Sequence, residues 1–546
     1  RMEVTIRHLT DDIDVDREFI RHFRDRKEKP ETYDGFTGWS MMLDAIVKAA
    51  AHGVGGEKVR TFKERGVTAT IATQTPDGNI SIFAGAPGLW DRHEQGYLLQ
   101  AFCRDAEWFG NRVALEAAEK LAGFMMARDG ALLVGMSPAF TALSRLTGDL
   151  RYVDFLRDRY LIEGGEKEYV SVVPLNGADH VYSNIEWSFS QLAYAEETGR
   201  RFATVEDSAR KILKGGYSPR ELYAKGHARE LQRRLGGDFL SVTGTLGGLP
   251  NLGEYWDESQ IGQQPWGETC ASAYLMRFLA QWSKRHPETI CGDLYERVMY
   301  NALFGAQSHD GRKQRYFSPF SQPGEWWPRE GYCCPNNFRR MVFEIPDSVF
   351  LRTPDGFAVN LFAPATLKTK GLAVEMTTAY PDDGTVELKV TSEKAGKVRV
   401  RVPRWTGLAD AGSWRVYDYA AGETSVRVEF PMVIRLVKGR RAQEGRFALM
   451  RGPVVYAVPM GGAYIDCWKF DLSRPMTFRD GCVEASMIDD HYRRPRYDVK
   501  LVPFAAENRK RVYFGTLGEG GPAVVDDEFY GCSVFLGENQ TKANTR

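Results

Sequence analysis

The stretch Gly331-Tyr332-Cys333-Cys334-Pro335-Asn336-Asn337 places two adjacent cysteines directly before a helix-like run, which is difficult to explain as ordinary core. A second stretch, Pro265-Trp266-Gly267-Glu268-Thr269-Cys270, offers one carboxylate and one thiol two positions apart. Together the two stretches supply three sulfur atoms and one carboxylate oxygen. Zinc favours thiolate and accepts carboxylate oxygen in four-coordinate sites, so this is a full tetrahedral ligand set for zinc.

The second stretch leads into a predicted helix. On a regular helix, Glu268 and Cys270 would point about 200° apart, so the spacing favours a turn at the helix start. The helix then runs through Ala273, Leu275 and Phe278. In the first turn, Cys270 feels the positive end of the helix dipole, which favours the thiolate. We expect the adjacent cysteines to come from a loop beside this helix terminus, so that one ion ties two distant parts of the chain together.

The same four side chains admit two other interpretations. Closed four-ligand zinc sites are most often structural, in which case the zinc supports the fold and takes no part in chemistry. A disulfide between Cys333 and Cys334 is the second alternative, which a reducing compartment disfavours. The remaining cysteines have no such partners and are predicted to be small buried apolar residues. They are Cys103, Cys291, Cys467, Cys482 and Cys532.

Length and charge limit the class of partner. A chain of 546 residues is too long for one core and indicates two or three domains. Lys+Arg and Asp+Glu both number 72, so no net charge favours nucleic acid or an anionic membrane as partner. A neutral polymer fits better. The 12 Trp and 24 Tyr could line a sugar cleft, although large proteins also bury many aromatic residues.

The expected compartment follows from the cysteines and from the absence of targeting signals. The sequence has no run of about 18 apolar residues that would cross a membrane. Arg1-Met2-Glu3-Val4 carries no apolar signal-peptide core, as would also hold if a signal had been trimmed. The eight cysteines do not form a dense disulfide framework. We therefore expect a cytoplasmic protein, with the periplasm or secretion as the alternative. A homodimer is compatible with the sequence.

Apolar residues recur at helical spacing from about Gly38 to Phe350. The pattern begins with Trp39, Met42, Leu43, Ile46 and Val47, and continues with Leu98, Leu99, Phe102 and Cys103, then with Val113, Leu115, Ala118 and Leu121. Roughly a dozen helical segments result, the number that an (α/α)6 toroid needs. We predict such a toroid, or (α/α)6 barrel, as a catalytic domain over 1–350, with an irregular helical domain as the alternative.

Beyond about Phe350 the apolar pattern changes to a period of two, which indicates antiparallel strands with one buried face. The alternating sets are Phe357, Val359 and Leu361; Val386, Leu388 and Val390; Val398, Val400 and Val402; and Val426, Val428 and Phe430. Phe447 to Val458 reads as one more strand pair. We predict an antiparallel β-sandwich over 351–460 and a smaller β-rich appendage over 461–546.

Several segments resemble glycoside hydrolase family 127, the β-L-arabinofuranosidase family of zinc-dependent retaining enzymes with a cysteine nucleophile. The Glu-x-Cys and the downstream Cys-Cys-Pro carry most of the resemblance, and the segments in the β region are weaker signals. The matching segments are Gly267-Glu268-Thr269-Cys270-Ala271-Ser272, Tyr295-Glu296-Arg297-Val298-Met299-Tyr300-Asn301, Tyr316-Phe317-Ser318-Pro319, Cys333-Cys334-Pro335, Arg401-Val402-Pro403-Arg404-Trp405 and Arg451-Gly452-Pro453-Val454-Val455-Tyr456.

The resemblance implies a role for each matching residue. Zinc would be bound by Glu268, Cys270, Cys333 and Cys334, and Cys333 would also be the nucleophile. Glu254 matches the general acid/base of the family. His93, His180 and Tyr316 match positions that contact the substrate. From the residues alone, Glu258 is the competitor for the acid/base role, and both histidines could instead belong to the core.

The chemistry explains why these residue types occur together. Retaining glycoside hydrolysis needs a nucleophile and a proton donor held roughly 5 to 5.5 Å apart. A thiol attacks as the thiolate, and coordination to zinc deprotonates it. The acid needs an apolar wall that raises its pKa, for which Tyr255, Trp256 and Trp266 stand near Glu254. This division of labour agrees with the roles that the resemblance implies.

This chain departs from the family pattern at two places, which puts the sugar specificity in question. Asn336 stands where the family usually has a proline, and the segment 255–267 is about two residues shorter than the family pattern. The default substrate is a terminal β-L-arabinofuranose of a plant-type glycan. An acidic pectic sugar is the alternative, for which Arg315, Arg329 or Arg339 could pair with the carboxylate.

Two other classes of protein remain open at the level of sequence. One is a non-catalytic carbohydrate-binding protein whose zinc is structural, because fold alone does not fix function. The other is a lyase or epimerase that uses Tyr and His. The second class would leave the four zinc ligands without a catalytic purpose.

Overall fold

The computed structural model describes residues 1–27, 36–85, 89–128, 135–160, 181–182, 185–186, 240–246, 266–285, 287–319, 324–459, 467–490, 496–506 and 510–530. Over these residues the chain is mainly helical up to Val342 and rich in strands from Phe350 onward. The predicted combination of a helical half and a β-rich half is therefore confirmed, while the (α/α)6 arrangement stays a prediction. In these ranges, no helix has the length and apolar character needed to cross a bilayer.

The helical half is built around one buried helix, α3 (Trp39–Ala51), which packs against its neighbours α4, α5 and α11. The predicted apolar set of α3 is fully buried, as are Leu98 and Phe102 of α5. The α-helices of the described residues are α1 (Met2–Asp11), α2 (Arg21–Asp25), α3, α4 (Gly56–Ile71), α5 (Leu89–Phe109), α6 (Arg112–Met126), α7 (Met136–Thr147), α8 (Arg151–Tyr160), α9 (Thr269–Arg285), α10 (Thr289–Arg297) and α11 (Cys333–Val342).

Helix α6 buries three of its four predicted apolar residues: Ala118 and Leu121 are fully buried, and Leu115 packs partly buried against the core. Val113, which opens the predicted apolar set, is 60% exposed, whereas Ala114 is fully buried. The side chain of Asn111 accepts a hydrogen bond from the Ala114 amide at 3.2 Å, which caps the helix start. The apolar pattern therefore predicts the buried face of α6 and misplaces one residue, Val113, because alanines provide part of that face.

Two four-stranded sheets follow the helices and share one core with them. One sheet has the order β3-β4-β8-β9 and the other β10-β7-β6-β5. The predicted alternating residues of β7 and β8 are buried in this core, as the period of two indicates. The predicted antiparallel pairing is wrong between β4 and β8, which pair parallel, because alternation does not fix the direction of the neighbouring strand. The strands are β3 (Phe350–Thr353), β4 (Gly356–Val359), β5 (Ala365–Thr369), β6 (Leu372–Thr378), β7 (Thr385–Ser392), β8 (Gly396–Arg401), β9 (Trp414–Tyr419) and β10 (Gly422–Glu429); a short pair, β1 (Trp266–Glu268) with β2 (Phe317–Pro319), lies among the helices.

The remaining strands form one larger sheet, and the pairing divides the chain differently from the predicted boundary at residue 460. Strands β11 to β13 pair with later strands, although 351–460 was assigned to the sandwich. Alternation shows which face of a strand is buried but not which strand is its partner. The strands are β11 (Ile434–Lys438), β12 (Phe447–Arg451), β13 (Val454–Pro459), β14 (Trp468–Asp471), β15 (Thr477–Arg479), β16 (Cys482–Asp489), β17 (Tyr497–Pro503), β18 (Lys510–Arg511), β19 (Tyr513–Leu517) and β20 (Ala523–Val525).

A buried ion cluster joins the β-sandwich to the helical half. Arg401 at the end of β8 pairs with Asp293 of α10 and, at 2.8 Å, with Glu296 of the same helix. All three side chains are at most 1% exposed. Burial raises the pKa of the Asp293 carboxyl to about 6, although Arg401 opposes the shift. Gly292 leaves room for this contact, because a Cβ there would lie 2.5 Å from the Arg401 Nε atom.

Truncating Arg401 should strongly destabilise the protein. The variant Arg401→Ala leaves two buried carboxyl groups without their cation, which typically costs about 3 to 5 kcal/mol. Arg399→Ala, on the same strand, is the matched control, since its partner Asp355 is 40% exposed and such pairs contribute about 0 to 1 kcal/mol. Urea denaturation of both variants measures the difference. Equal midpoints for the two would contradict the role of this cluster.

Candidate active site and metal centre

Glu268 and Cys270 lie at the junction of strand β1 and helix α9. Glu268 ends β1 opposite Phe317 of β2, and Cys270 lies in the first turn of α9, as predicted. The Thr269 amide donates to the Tyr316 carbonyl oxygen at 2.9 Å, which fixes this junction against the chain before β2. A Cβ at Gly267 would lie 2.1 Å from the Thr245 Cβ, so the strand needs glycine there.

Cys333 and Cys334 are the first two residues of helix α11. The prediction that they come from a loop is therefore wrong. The helix begins at Cys333 because Tyr332 has φ +88°, which interrupts the regular backbone directly before it. Such a conformation costs a bulky residue about 1 to 3 kcal/mol and is common next to functional sites. The Tyr332 amide donates to the Thr37 carbonyl oxygen at 2.9 Å, which holds the strained residue in place.

The structure brings the four predicted ligands together. One ligand atom from each of Glu268, Cys270, Cys333 and Cys334 lies within 4.8 Å of the other three, and all four residues are buried. The Cys334 Sγ lies 3.2 Å from the Cys270 Sγ and 3.3 Å from the Glu268 Oε1. Cys333 and Cys334 are both reduced, so the structure contradicts the disulfide alternative.

This donor set fits a thiolate-binding metal. Burial, together with the neighbouring thiols, raises the pKa of the Cys270 and Cys334 thiols well above their usual value. Three thiols and a carboxyl group that converge inside a protein would be costly as bare anions, and a divalent cation offsets that cost. The group could therefore hold a metal, and its ligand types are those that zinc prefers.

Tyr316 lies beside Cys333 at the edge of an aromatic wall. Its hydroxyl oxygen is 3.7 Å from the Cys333 Sγ. The Tyr316 ring centroid lies 5.2 Å from that of Trp327, and Trp327 stacks on Tyr332 at 5.5 Å. The Trp327 indole donates to the Gly331 carbonyl oxygen at 3.1 Å. These three half-buried rings, hereafter the aromatic wall, provide apolar faces next to the outermost thiol of the cluster.

His93 is fully buried among aromatic rings. Its ring centroid lies 4.8 Å from Phe36, 5.0 Å from Tyr97 and 6.5 Å from Tyr182. Phe36 in turn contacts the ring of Tyr332, so His93 belongs to the layer behind the aromatic wall. This setting is as compatible with a core histidine as with a substrate contact.

Other predicted positions fall outside the described residues. Glu254, its competitor Glu258, His180 and Cys532 all lie there. Of the other cysteines predicted to be buried, Cys103 and Cys291 are buried, whereas Cys467 and Cys482 are only half-buried in the C-terminal sheet.

Asn336, which stands in place of the family proline, supports the backbone before Cys333. Its Nδ2 donates to the carbonyl oxygens of Glu330 at 3.2 Å and Tyr332 at 2.9 Å. Its Oδ1 accepts from Arg339 at 2.7 Å. Gly38 packs so closely here that a Cβ would lie 2.6 Å from the Asn336 Nδ2. The asparagine therefore holds the strained turn by hydrogen bonds.

Two of the arginines considered for an acidic sugar are committed to the fold. Arg339 is fully buried and pairs with Glu330. Arg315 donates to the Gly305 carbonyl oxygen at 3.0 Å and lies over the Trp326 ring at 4.2 Å. Arg329 is exposed.

Sequence reasoning missed the polar neighbours of the cluster. Asn337, within the opening motif itself, donates to the Cys270 Sγ at 3.1 Å, and Arg277 and Arg340 donate to its side-chain oxygen. The position of Asn337 directly after Cys-Cys-Pro-Asn was the available signal. Nothing in the local sequence marks the two arginines, which lie on different helices.

Comparison with known families agrees with the motif. The family model described as "Beta-L-arabinofuranosidase, GH127 catalytic domain" matches residues 222–347, and that of the family 127 middle domain matches residues 356–429. The chain belongs to glycoside hydrolase family 127. It is therefore a glycoside hydrolase. The catalytic-domain match includes the whole cluster and the position of Glu254, and the middle-domain match ends before β11.

Relatives of this family 127 member share its fold at low sequence identity. The chain is 23% identical over 508 residues to a non-reducing end β-L-arabinofuranosidase from Bifidobacterium longum subsp. longum, covering 78% of this chain and 76% of the relative. A family 127 β-L-arabinofuranosidase from Geobacillus stearothermophilus T6 superposes with TM-score 0.70 at 18% identity, covering 93% of this chain and 94% of that one. A second family 127 β-arabinofuranosidase gives TM-score 0.71 at 18% identity, with 95% of each chain covered.

Proposed function

We propose that this chain is an exo-acting, retaining glycosidase that releases a terminal furanose, β-L-arabinofuranose by default, from a plant-type glycan. The observation that carries the proposal is the buried convergence of Glu268, Cys270, Cys333 and Cys334 inside the part of the chain that matches the family catalytic domain. The names of the relatives support the choice of sugar. In this proposal Cys333 is the nucleophile and Glu254 the general acid/base.

The four cluster residues would hold zinc, which when bound keeps the coordinating thiols deprotonated at neutral pH. Among the three cysteines, Cys333 suits the role of nucleophile best, since it is 6% exposed while Cys270 and Cys334 are fully buried. It is also the first residue of α11, where the positive end of the helix dipole favours a thiolate. The Tyr316 hydroxyl lies 3.7 Å from the Cys333 Sγ and restricts the orientation of that side chain.

The reaction then takes two steps. The Cys333 sulfur forms a bond to the anomeric carbon while the bond to the leaving oxygen breaks, and Glu254 gives that oxygen its proton. In the second step Glu254 removes a proton from water, the water oxygen bonds to the anomeric carbon, and the Cys333 sulfur leaves. Two displacements at one carbon retain its configuration.

The aromatic wall favours a neutral sugar. Tyr316, Trp327 and Tyr332 provide apolar ring faces, which can stack on the C–H face of a sugar. Arg315 and Arg339, which could have paired with an acidic sugar, are engaged within the protein. Of the three arginines considered, the exposed Arg329 is the remaining candidate partner for an acidic sugar, so an arabinofuranose is the better fit.

The helical half over 1–350 is proposed to be the catalytic (α/α)6 toroid. Helices α9 and α11 pack together and bring the three cysteine ligands, and α3 packs against α11. In such a toroid the cluster would lie at the floor of a central pocket.

The substrate proposal is tested by release of p-nitrophenol from its β-L-arabinofuranoside. We expect turnover of this compound and little or none of the α-L-arabinofuranoside, because the nucleophile must attack from the face opposite the leaving group. Proton NMR of the first product should show the β-anomer before mutarotation. Initial release of the α-anomer would contradict retention, and turnover of an acidic furanoside alone would replace the sugar.

A further inference from the structure

The side chain of Asn337 joins the cysteine cluster to a buried web of charges. Asn337 is fully buried, and its Nδ2 donates to the Cys270 Sγ at 3.1 Å. Its Oδ1 accepts from the Arg340 Nη1 at 3.0 Å and from the Arg277 Nη1 at 3.1 Å. Because a guanidinium can only donate, the two arginines fix which end of the amide carries the oxygen. The donor end is thereby directed at the Cys270 sulfur.

The two arginines are themselves held by buried carboxylates. The Arg340 Nε donates to the Asp44 Oδ2 at 2.7 Å, and the Arg277 Nε to the Glu344 Oε2 at 2.6 Å. Lys48 of α3 pairs with both carboxylates. Helices α3, α9 and α11 are thus tied together around Asn337, so its amide has little freedom to turn away from the sulfur.

The charges of this web match those of a thiolate-rich centre. Four basic side chains, Lys48, Arg104, Arg277 and Arg340, meet the two carboxylates Asp44 and Glu344. Burial lowers the pKa of Lys48 to about 7, but the three arginines alone outnumber the two carboxylates, so among the described residues the web carries a surplus of positive charge. Three thiolates and a carboxylate carry more negative charge than a divalent cation neutralises. The metal centre next to the web would therefore carry a surplus of negative charge. The pairing of opposite surpluses favours the ionised ligands.

We infer that Asn337 is a positioning residue of the metal centre, and that the Arg277–Arg340 pair orients its amide so that the Cys270 sulfur is held as a thiolate ligand. This inference rests on the proposed function, since it assumes the metal there. Asn337 also lies one helical turn beyond Cys334 on α11, so the same rigid segment supplies two ligands and the contact to a third. Groups that orient metal ligands in this way commonly change metal affinity about 10- to 100-fold when they are removed.

The test compares Asn337→Asp with wild type. Aspartate has nearly the same shape and still accepts from both arginines, but it presents an oxygen in place of the donor to the Cys270 sulfur. We expect zinc affinity, measured by competition with a chromogenic chelator, to fall about 10- to 100-fold. In the cobalt-substituted protein the thiolate-to-cobalt absorption should shift or weaken. Asn337→Ser, which is smaller, should show the same loss and guards against misfolding of the first variant.

Asn301→Asp is the matched control. Asn301 is also fully buried, and its Nδ2 donates to the Arg297 carbonyl oxygen at 2.7 Å and the Pro453 carbonyl oxygen at 2.9 Å. This control should lower the melting temperature without changing zinc affinity or the cobalt spectrum. If both Asn337 variants keep wild-type affinity and spectrum, the inference is overturned and the proposed function stands. If the wild-type protein binds no zinc, the proposed metal centre itself fails.

Discussion

Cys333→Ser is expected to abolish turnover of a β-L-arabinofuranoside while the protein remains folded. Serine is nearly isosteric, but its hydroxyl is far less acidic than a thiol and is a poor nucleophile at neutral pH. Removal of a covalent nucleophile typically costs about 10³-fold or more in kcat. Since Cys333 is the first residue of α11 and 6% exposed, one sulfur-to-oxygen change there should leave helix packing intact.

Two further cysteine variants make this result specific. Cys482→Ser changes a half-buried thiol in the C-terminal sheet and should leave kcat unchanged. Cys334→Ser changes a fully buried ligand, so it should lower the zinc content more than Cys333→Ser does. Steady-state kinetics, metal analysis and melting temperature are measured on all three. If the Cys333→Ser protein retains turnover, Cys333 is not the nucleophile. If the variant unfolds, the zinc is structural.

The same variant separates the remaining classes of function. A lyase or epimerase based on Tyr and His would be indifferent to Cys333, whereas a carbohydrate-binding protein would bind sugar without turnover in either form. Membership of a glycoside hydrolase family already argues against both of these classes. Cysteine-dependent turnover with one zinc per chain would exclude both classes.

The ligand cluster could be predicted from the sequence because its chemistry is concentrated in two short stretches. Thiols and carboxylates at that spacing have few ordinary uses in a core, so the pattern indicates a metal before any fold is known. The web around Asn337 could not be predicted in this way. Asp44 and Arg277 are single polar residues in helices, Glu344 lies in the turn after α11, and only the packing of α3, α9 and α11 brings the three together.

The limits for the fold are of the same kind. Alternation located the strands of the sandwich, because burial of one face has a period of two. It did not reveal that β11 to β13 pair with the C-terminal strands, since pairing depends on contacts between distant residues. Likewise, no sequence pattern predicts the strained backbone of Tyr332, because its φ of +88° is imposed by the residues packed around it.

Removal of the metal by a chelator should abolish activity and lower the melting temperature by roughly 5 to 10 °C. Without the ion, three thiols and a carboxyl group would remain buried within 4.8 Å of one another. No cation would then link β1 and α9 to α11. Added zinc should restore both properties, whereas magnesium should not, because it prefers oxygen ligands.

Cys270→Ala provides the control for that experiment. Cys270 is fully buried and bonded to Asn337, so its loss should remove the metal site without touching the proposed nucleophile. The chelator should then cause no further fall in melting temperature in this variant. Full activity in a wild-type protein that carries far less than one metal per chain would contradict the zinc-dependent mechanism, since a buried Cys333 would then have to ionise with no cation to stabilise it.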